Sequence, residues 1–178
     1  MMKIMNGFAT LTAKATVALA LLAVAACGAG AEGGGGTAPS AKVTAFLGQD
    51  AVALVKAADR VEPFLLRTAL APDAKAGPDA IAGYAWKARG ADLAPAAGAE
   101  LKRLILDDAS YDFDVAKKCV MVPEYALRLH AGPRHLDVLV SFACAMWAFD
   151  KDGDSRVEDF DPVVGRLRAV VETVFRMD

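Results

Sequence analysis

The chain has 178 residues and carries 20 Lys and Arg against 22 Asp and Glu, so its net charge at pH 7 is −2. A mildly acidic chain lacks the cationic surface that nucleic-acid binding or docking on anionic lipid requires, and we expect no nucleic-acid partner. The length suits one domain with a substantial apolar core.

Residues 1–26 have the organisation of a targeting signal and are not expected to belong to the fold. Lys3 and Lys14 give a positively charged start, and residues 15–26, ATVALALLAVAA, form an apolar segment that is too short to span a bilayer comfortably. Without this segment, which holds two lysines and no acidic residue, the net charge is −4.

The apolar segment ends at a cysteine. Val-Ala-Ala at 24–26 precedes Cys27, and this pattern resembles the lipobox of bacterial lipoproteins, with valine where leucine is commoner. The resemblance implies that signal peptidase II cuts before Cys27, that this cysteine is acylated, and that the protein is anchored in the cell envelope. Gly28 in place of aspartate implies the outer membrane of a diderm bacterium. An ordinary cleaved signal peptide is the alternative.

Residues 27–40 are rich in glycine and read as a flexible tether. Residues 41–178 are predicted to form a single domain. Its predicted elements are a helix over 41–58 with Ser40 as N-cap, a strand over 59–68 placed at an edge by Pro63, a loop over 71–79, a strand over 81–89, a helix over 95–107, a long hairpin over about 119–146 and a closing helix over 162–175. This order predicts an α+β fold in which helices cover one face of an antiparallel sheet.

The predicted hairpin turns at Gly132-Pro133, and apolar residues alternate with polar ones on both sides of the turn. Alternation with this turn centre fixes one register, because a shift by one residue would move every apolar side chain to the other face. The register pairs Leu129 with Leu136 on the apolar face, and Arg128 with Asp137 and His130 with His135 on the opposite face.

Acylation of Cys27 would leave two cysteines, Cys119 and Cys144. Both fall on the same face of the predicted hairpin, offset by one step, so that a disulfide is geometrically plausible. An even number of cysteines in an oxidising compartment favours a disulfide. Two buried free thiols are the alternative.

The acidic segment 150–161, DKDGDSRVEDFD, resembles a twelve-residue calcium loop of the EF-hand type. It departs from that pattern at Ser155, where glycine is usual, and in ending on aspartate instead of the longer glutamate. A β-turn at 151–154 is the competing interpretation. The predicted calcium ligands are Asp150, Asp152, Asp154 and Asp161.

Three further motifs resemble a family of uncharacterised bacterial secreted proteins and lipoproteins. They are Lys118-Cys119 followed by Pro123, the segment 139–144, LVSFAC, and Phe160-Asp161-Pro162. The resemblance extends loosely over residues 40–175 and implies a fold but no activity. Ser141 stands where the family pattern has a cysteine, which removes any dithiol chemistry.

The sequence contains no recognisable catalytic constellation, and we expect no catalytic residues and no cofactor. His130 and His135 could hold a transition metal, although no third ligand can be named. The function expected is that of a lipid-anchored envelope protein, acting as a non-enzymatic binding or structural module towards an unidentified protein or ligand. The alternatives are a calcium-binding module and, more remotely, an envelope hydrolase or thiol-redox protein.

Overall fold

The computed structural model describes residues 38–69, 72–73 and 77–175. The predicted signal segment, Cys27 and most of the predicted tether lie outside the described residues. The helices are α1 Ala41–Leu47, α2 Gln49–Ala57, α3 Pro95–Leu106 and α4 Val164–Glu172, with short 3-10 helices at Asp108–Ser110 and Asp161–Val163. The strands are β1 Arg60–Leu66, β2 Ala80–Ile81, β3 Tyr84–Arg89, β4 Tyr125–Ala131, β5 Arg134–Ser141, β6 Met146–Lys151 and β7 Asp154–Asp159.

The seven strands form one curled antiparallel sheet in the order β2-β3-β1-β4-β5-β6-β7. The helices pack against one face of this sheet, and the predicted α+β class is confirmed. We call the opposite face of the sheet the outer face. Side chains alternate between the two faces along each strand, so that Leu127 and Leu129 join the helix-side core whereas Ala126 faces outward.

The predicted first helix is divided in two at Gly48. The Ser40 side chain caps α1 as predicted, because its Oγ accepts a hydrogen bond from the Val43 N–H at 3.2 Å. Gly48 then adopts φ 84°, a conformation that glycine tolerates and that ends α1 before α2 begins. The single helix predicted over 41–58 is therefore two helices.

The prediction that β1 is an edge strand is wrong. β1 lies between β3 and β4, and Pro63 pairs with Leu127 in the sheet interior. The proline carbonyl accepts a hydrogen bond from the Gly90 N–H at 2.9 Å, directly after β3 ends at Arg89. The N–H that proline lacks would lie at the end of the β1–β3 ladder, so its absence costs at most one terminal hydrogen bond of the sheet.

Two other predicted elements are redefined. The strand expected over 81–89 is a small hairpin, because Ala82 and Gly83 take φ 46° and 79° and reverse the chain between β2 and β3. The closing helix begins with the 3-10 turn at Asp161–Val163 and continues as α4. Proline in the first turn of this segment agrees with its lack of a backbone donor.

The central β4–β5 hairpin has the predicted register but not the predicted length. Leu129 pairs with Leu136 and Arg128 pairs with Asp137, as the alternation required. However, the strands cover 125–141 instead of about 119–146. Residues 111–124 run to β4 without helix or strand. The Val115 N–H closes a turn on the Asp112 carbonyl, and the Glu124 N–H donates to the Val140 carbonyl at 2.9 Å.

The helix-side core is dominated by aromatic rings. Trp147 is fully buried, and its ring lies 4.9 Å from Tyr111, 5.1 Å from Phe149 and 5.5 Å from Phe160 between ring centres. The Tyr111 hydroxyl donates a 2.6 Å hydrogen bond to the Ile105 carbonyl, which satisfies the polar end of a buried ring. Burial raises the pKa of Tyr111 well above its ordinary value.

The outer face holds a second and smaller apolar cluster. Trp86 of β3 and Met121 of the irregular segment pack against it. Its buried members are Phe64, Leu66, Ile81, Ala126, Leu139 and Ala148. This cluster occupies only part of the outer face, and charged residues occupy the adjoining part.

Candidate functional site

Four charged side chains form one continuous row across the outer face. Glu62, Arg128, Asp137 and Asp150 lie on β1, β4, β5 and β6, and each is the direct ladder partner of the next. Glu62 and Asp137 are 8% and 3% exposed, which is unusual for carboxylates. We call these four residues the charged row, and it is the candidate functional site.

The centre of the charged row is a bidentate ion pair. Arg128 donates from Nε and from an Nη nitrogen to the two carboxylate oxygens of Asp137, at 2.6 and 2.7 Å. The planar guanidinium matches the carboxylate, so this geometry fixes both side chains. The hydrogen bond to Asp137 raises the pKa of Arg128. The predicted hairpin register already placed these two residues opposite each other.

Glu62 is the second buried acid, and the side chains of His130, Arg60 and Arg89 surround it. His130 Nε2 lies 2.7 Å from one carboxylate oxygen, Arg60 lies 3.2 Å from the other, and Arg89 also contacts that oxygen. Burial by itself would raise the pKa of Glu62, but the hydrogen bonds to His130 and Arg60 and the arginine charges outweigh burial and lower it. Glu62 therefore remains ionised and holds three side chains in place.

Glu62 was not predicted as a site residue. Its partner His130 is 68 positions away in the chain, and the pairing of β1 with β4 is invisible to local alternation. One signal was present: an acidic residue inside an otherwise apolar strand, between Val61 and Pro63.

Asp150 ends the charged row and differs from the other two acids. Its ladder partner is Asp137, so that two carboxylates stand directly opposite each other. Burial raises the pKa of Asp150, and the charges of Asp137, Asp152 and Asp154 raise it further, while the Gly153 N–H at 3.3 Å opposes them. Charges of opposite sign alternate from Glu62 through Arg128 to Asp137, and the alternation stops at Asp150.

The segment that resembles a calcium loop forms a tight β-hairpin, as the competing interpretation of a β-turn at 151–154 predicted. Asp152 and Gly153 take φ 56° and 87°, the conformation of a two-residue turn, and Lys151 pairs with Asp154. The four predicted ligands are not brought together, and each has a protein partner. Asp150 accepts from the Gly153 N–H, Asp152 pairs with Lys151, Asp154 with Arg156 and Asp161 with Lys117.

The predicted disulfide between Cys119 and Cys144 is present, with a Cα–Cα distance of 6.0 Å. Its setting differs from the prediction, because Cys119 precedes β4 and Cys144 lies in the turn between β5 and β6. Lys117 reinforces the same attachment by donating to the Cys144 carbonyl and pairing with Asp159 and Asp161, at 2.7 to 2.8 Å. The disulfide and this lysine fasten the irregular segment 111–124 to the sheet.

A surface cleft of about 380 Å³ lies beside the β6–β7 hairpin, on the helix side. Its rim includes Lys151 and Arg156 as well as Asp152 and Asp154, and its apolar wall includes Leu47, Ala51, Leu136 and Phe149. Arg156 is committed to the Phe46 carbonyl at 2.5 Å, and Lys151 pairs with Asp152. The charges around this cleft are therefore compensated by neighbouring side chains near the surface, whereas Glu62 and Asp137 of the charged row are buried.

Comparison with protein-family models, with curated proteins and with solved structures finds no significant match to this chain. Among the described residues, no helix has the length and apolar character to cross a membrane. The fold and the charged row define an antiparallel α+β domain that holds two buried and two half-buried charged side chains on the sheet face away from its helices. Rigid side chains of defined charge are suited to recognition of a polar partner.

Proposed function

We propose that this protein is a lipid-anchored envelope protein whose α+β domain acts as a binding module. Cys27 carries the acyl anchor, residues 28–40 act as the tether, and the outer face receives the partner. The Gly28 residue after the acylated cysteine directs the protein to the outer membrane of a diderm bacterium.

The pairing of the cysteines is the observation that carries the anchor proposal. The chain has three cysteines, and the disulfide joins Cys119 to Cys144. Cys27 is therefore the cysteine left over, and it is the one that follows the lipobox-like tripeptide. A structural disulfide also belongs to an oxidising compartment, in agreement with export across the inner membrane.

The charged row supports the binding role. Ordering a long charged side chain normally costs conformational entropy, but Arg128 and Glu62 are already held by their partners before any ligand arrives. Such a surface would recognise a polar or charged partner, with the adjoining apolar cluster around Trp86 contributing contact area.

The anchor is tested by expressing the full chain in a diderm bacterium supplied with an alkyne-tagged palmitate. We expect the wild-type protein to take up the label and to be retained by membranes, and Cys27→Ser to do neither. Cys119→Ser is the matched control, since it removes a cysteine without touching the lipobox and should still be labelled. Labelling that persists in Cys27→Ser, or its absence in the wild type, would contradict the proposal.

Sorting is tested separately with Gly28→Asp. Fractionation of the two membranes should find the wild-type protein in the outer membrane, whereas the variant should stay in the inner membrane. An unchanged distribution would leave the anchor intact but overturn the proposed location.

A further inference from the structure

We infer that His130 and His135 form a two-imidazole site on the outer face for a transition-metal ion of the class that prefers nitrogen ligands, such as Cu²⁺ or Zn²⁺. These two residues are the only histidines of the chain, and they are direct partners in the β4–β5 ladder. The inference is independent of the lipid anchor and of the proposed binding role.

The hairpin brings the two rings within reach of one ion. The turn at Gly132-Pro133 is closed by the pair Ala131–Arg134, and the histidines form the next pair along the ladder. Hydrogen-bonded and non-hydrogen-bonded pairs alternate in such a hairpin. Because the pair that closes the turn is hydrogen-bonded, the histidine pair is non-hydrogen-bonded, and side chains approach most closely in pairs of that kind.

The distance between the rings agrees with this placement. The two ring centres lie 6.3 Å apart, with 45° between the ring planes. An ion that binds two imidazole nitrogens, each at about 2.0–2.1 Å, holds the ring centres about 5 Å apart. The His135 side chain is exposed, and we expect its ring to close the difference by rotation about its side-chain bonds.

Glu62 prepares His130 for this role. An ionised carboxylate only accepts hydrogen bonds, so His130 must hold its proton on Nε2, 2.7 Å from Glu62. The neutral ring then keeps its lone pair on Nδ1, which is the nitrogen left for a metal. A carboxylate behind a metal-binding histidine fixes the ring and increases its basicity. Contacts with Arg60 and Arg89 in turn hold the Glu62 side chain.

The surrounding charges permit a cation. Arg60, the ladder partner of His130 on β1, is compensated by Glu62 at 3.2 Å and by Asp92 at 3.7 Å. Among the described residues, no group of three or more His, Cys, Asp or Glu side chains is placed to hold a metal, so the remaining positions of the ion would be open to solvent or to a ligand.

The test is a calorimetric titration of the full chain with Cu²⁺ and with Zn²⁺. The chain carries Cys27→Ser so that no free thiol competes for the metal. We expect one saturable site, weakened by about tenfold or more in His135→Ala and in His130→Ala. Cu²⁺ should bind more tightly than Zn²⁺, in the usual order for nitrogen ligands. Arg134→Ala is the matched control at the same hairpin tip and should bind the metal like the parent.

His135→Ala is the decisive variant, because His135 is exposed and its loss leaves the Glu62 contacts in place. Glu62→Gln should lower the affinity for the metal by about tenfold while leaving one site. If Glu62 had no connection with the metal-binding role of His130, this affinity would not change. The absence of saturable binding at millimolar metal would overturn the inference. So would a site whose affinity is unchanged in His135→Ala, or one that Arg134→Ala weakens equally.

Discussion

The two faces of the sheet are stabilised in different ways. On the helix side, Trp147, Tyr111 and Phe149 fill a continuous apolar core, and their contribution grows with the area they bury. On the outer face, Glu62 and Asp137 are almost as inaccessible, but Glu62 depends on Arg60 and Arg89, and Asp137 depends on Arg128. An apolar core tolerates changes of shape better than a buried carboxylate tolerates the loss of its partner.

This difference determines what each face can do. A core residue contributes through volume, and several residues of similar size could replace it with modest loss. A residue of the charged row contributes through its charge and its orientation. An isosteric substitution that removes only the charge should therefore lower the free energy of unfolding.

The largest effect is expected on the helix side, from Trp147→Ala. Trp147 is fully buried and contacts three other aromatic rings, so its truncation leaves a cavity that the sheet cannot close. We expect a loss of about 4 kcal/mol in the free energy of unfolding. Urea unfolding followed by circular dichroism measures this loss. Trp147→Phe, which retains most of the volume, is the control and should lose less than half as much.

The next largest effect is expected from Asp137→Asn, which changes almost no volume. Arg128 would then be held in a poorly solvated position without its carboxylate, at a cost of about 3 kcal/mol. The same unfolding measurement applies. Arg128→Met combined with Asp137→Asn should recover part of the loss, since no unpaired charge remains. If Asp137→Asn alone is as stable as the wild type, the Arg128–Asp137 ion pair does not contribute to the free energy of unfolding.

The Arg128–Asp137 pair also marks how far the sequence could predict the fold. Its two residues are nine positions apart and share a hairpin whose turn and alternation admit a single register, so the pairing followed from local pattern. The pairing of Glu62 with His130 did not, because it depends on which distant strands become neighbours. The α+β class of the fold could also be predicted from local pattern, because it depends only on the order of the helices and strands along the chain.

The errors at the hairpin ends have a different cause. The alternation of residues 119–124 is that of a strand, but in the structure this segment is irregular; it contains Pro123, and Cys119 at its start is bonded to Cys144. In the acidic segment 150–161, residue types alone suit both a calcium loop and a turn. The positive φ of Asp152 and Gly153 selects the turn, and a sequence does not display that choice.

Removal of the disulfide should cost about as much as removal of the Asp137 charge. Cys119 and Cys144 are 25 positions apart, and opening a loop of this size is expected to lose about 3 to 3.5 kcal/mol on the chain-entropy model. The double variant Cys119→Ser with Cys144→Ser tests this by urea unfolding. Mass analysis of the unreduced wild-type protein should find no alkylation at either cysteine, and full alkylation without denaturant would show that the bond is absent in solution.

Glu62→Gln should have a smaller effect that depends on pH. The pKa of Glu62 is lowered in the folded protein, so its ionised form contributes stability above the ordinary value of 4.5 and loses that contribution as the pH falls through the lowered pKa. We expect Glu62→Gln to lose about 2 kcal/mol at pH 7 and clearly less below about pH 4. Unfolding at both pH values compares the two proteins. A difference that is constant with pH would mean that Glu62 acts through shape and not through charge.

The smallest effect, and the one of opposite sign, is expected from Asp150→Asn. Asp150 faces Asp137 across the β5–β6 ladder, and its pKa is raised by burial and by the acids around it. A raised pKa means that the folded protein loses stability as the pH rises through it, so neutralising Asp150 should stabilise the protein at pH 7, by about 0.5 kcal/mol after allowance for solvent screening. The same substitution at its ladder partner, Asp137→Asn, is expected to destabilise strongly. Two adjacent aspartates with opposite responses would show that partnership within the charged row, and not acidity in general, sets the value of each carboxylate; a loss of stability in both variants would contradict this.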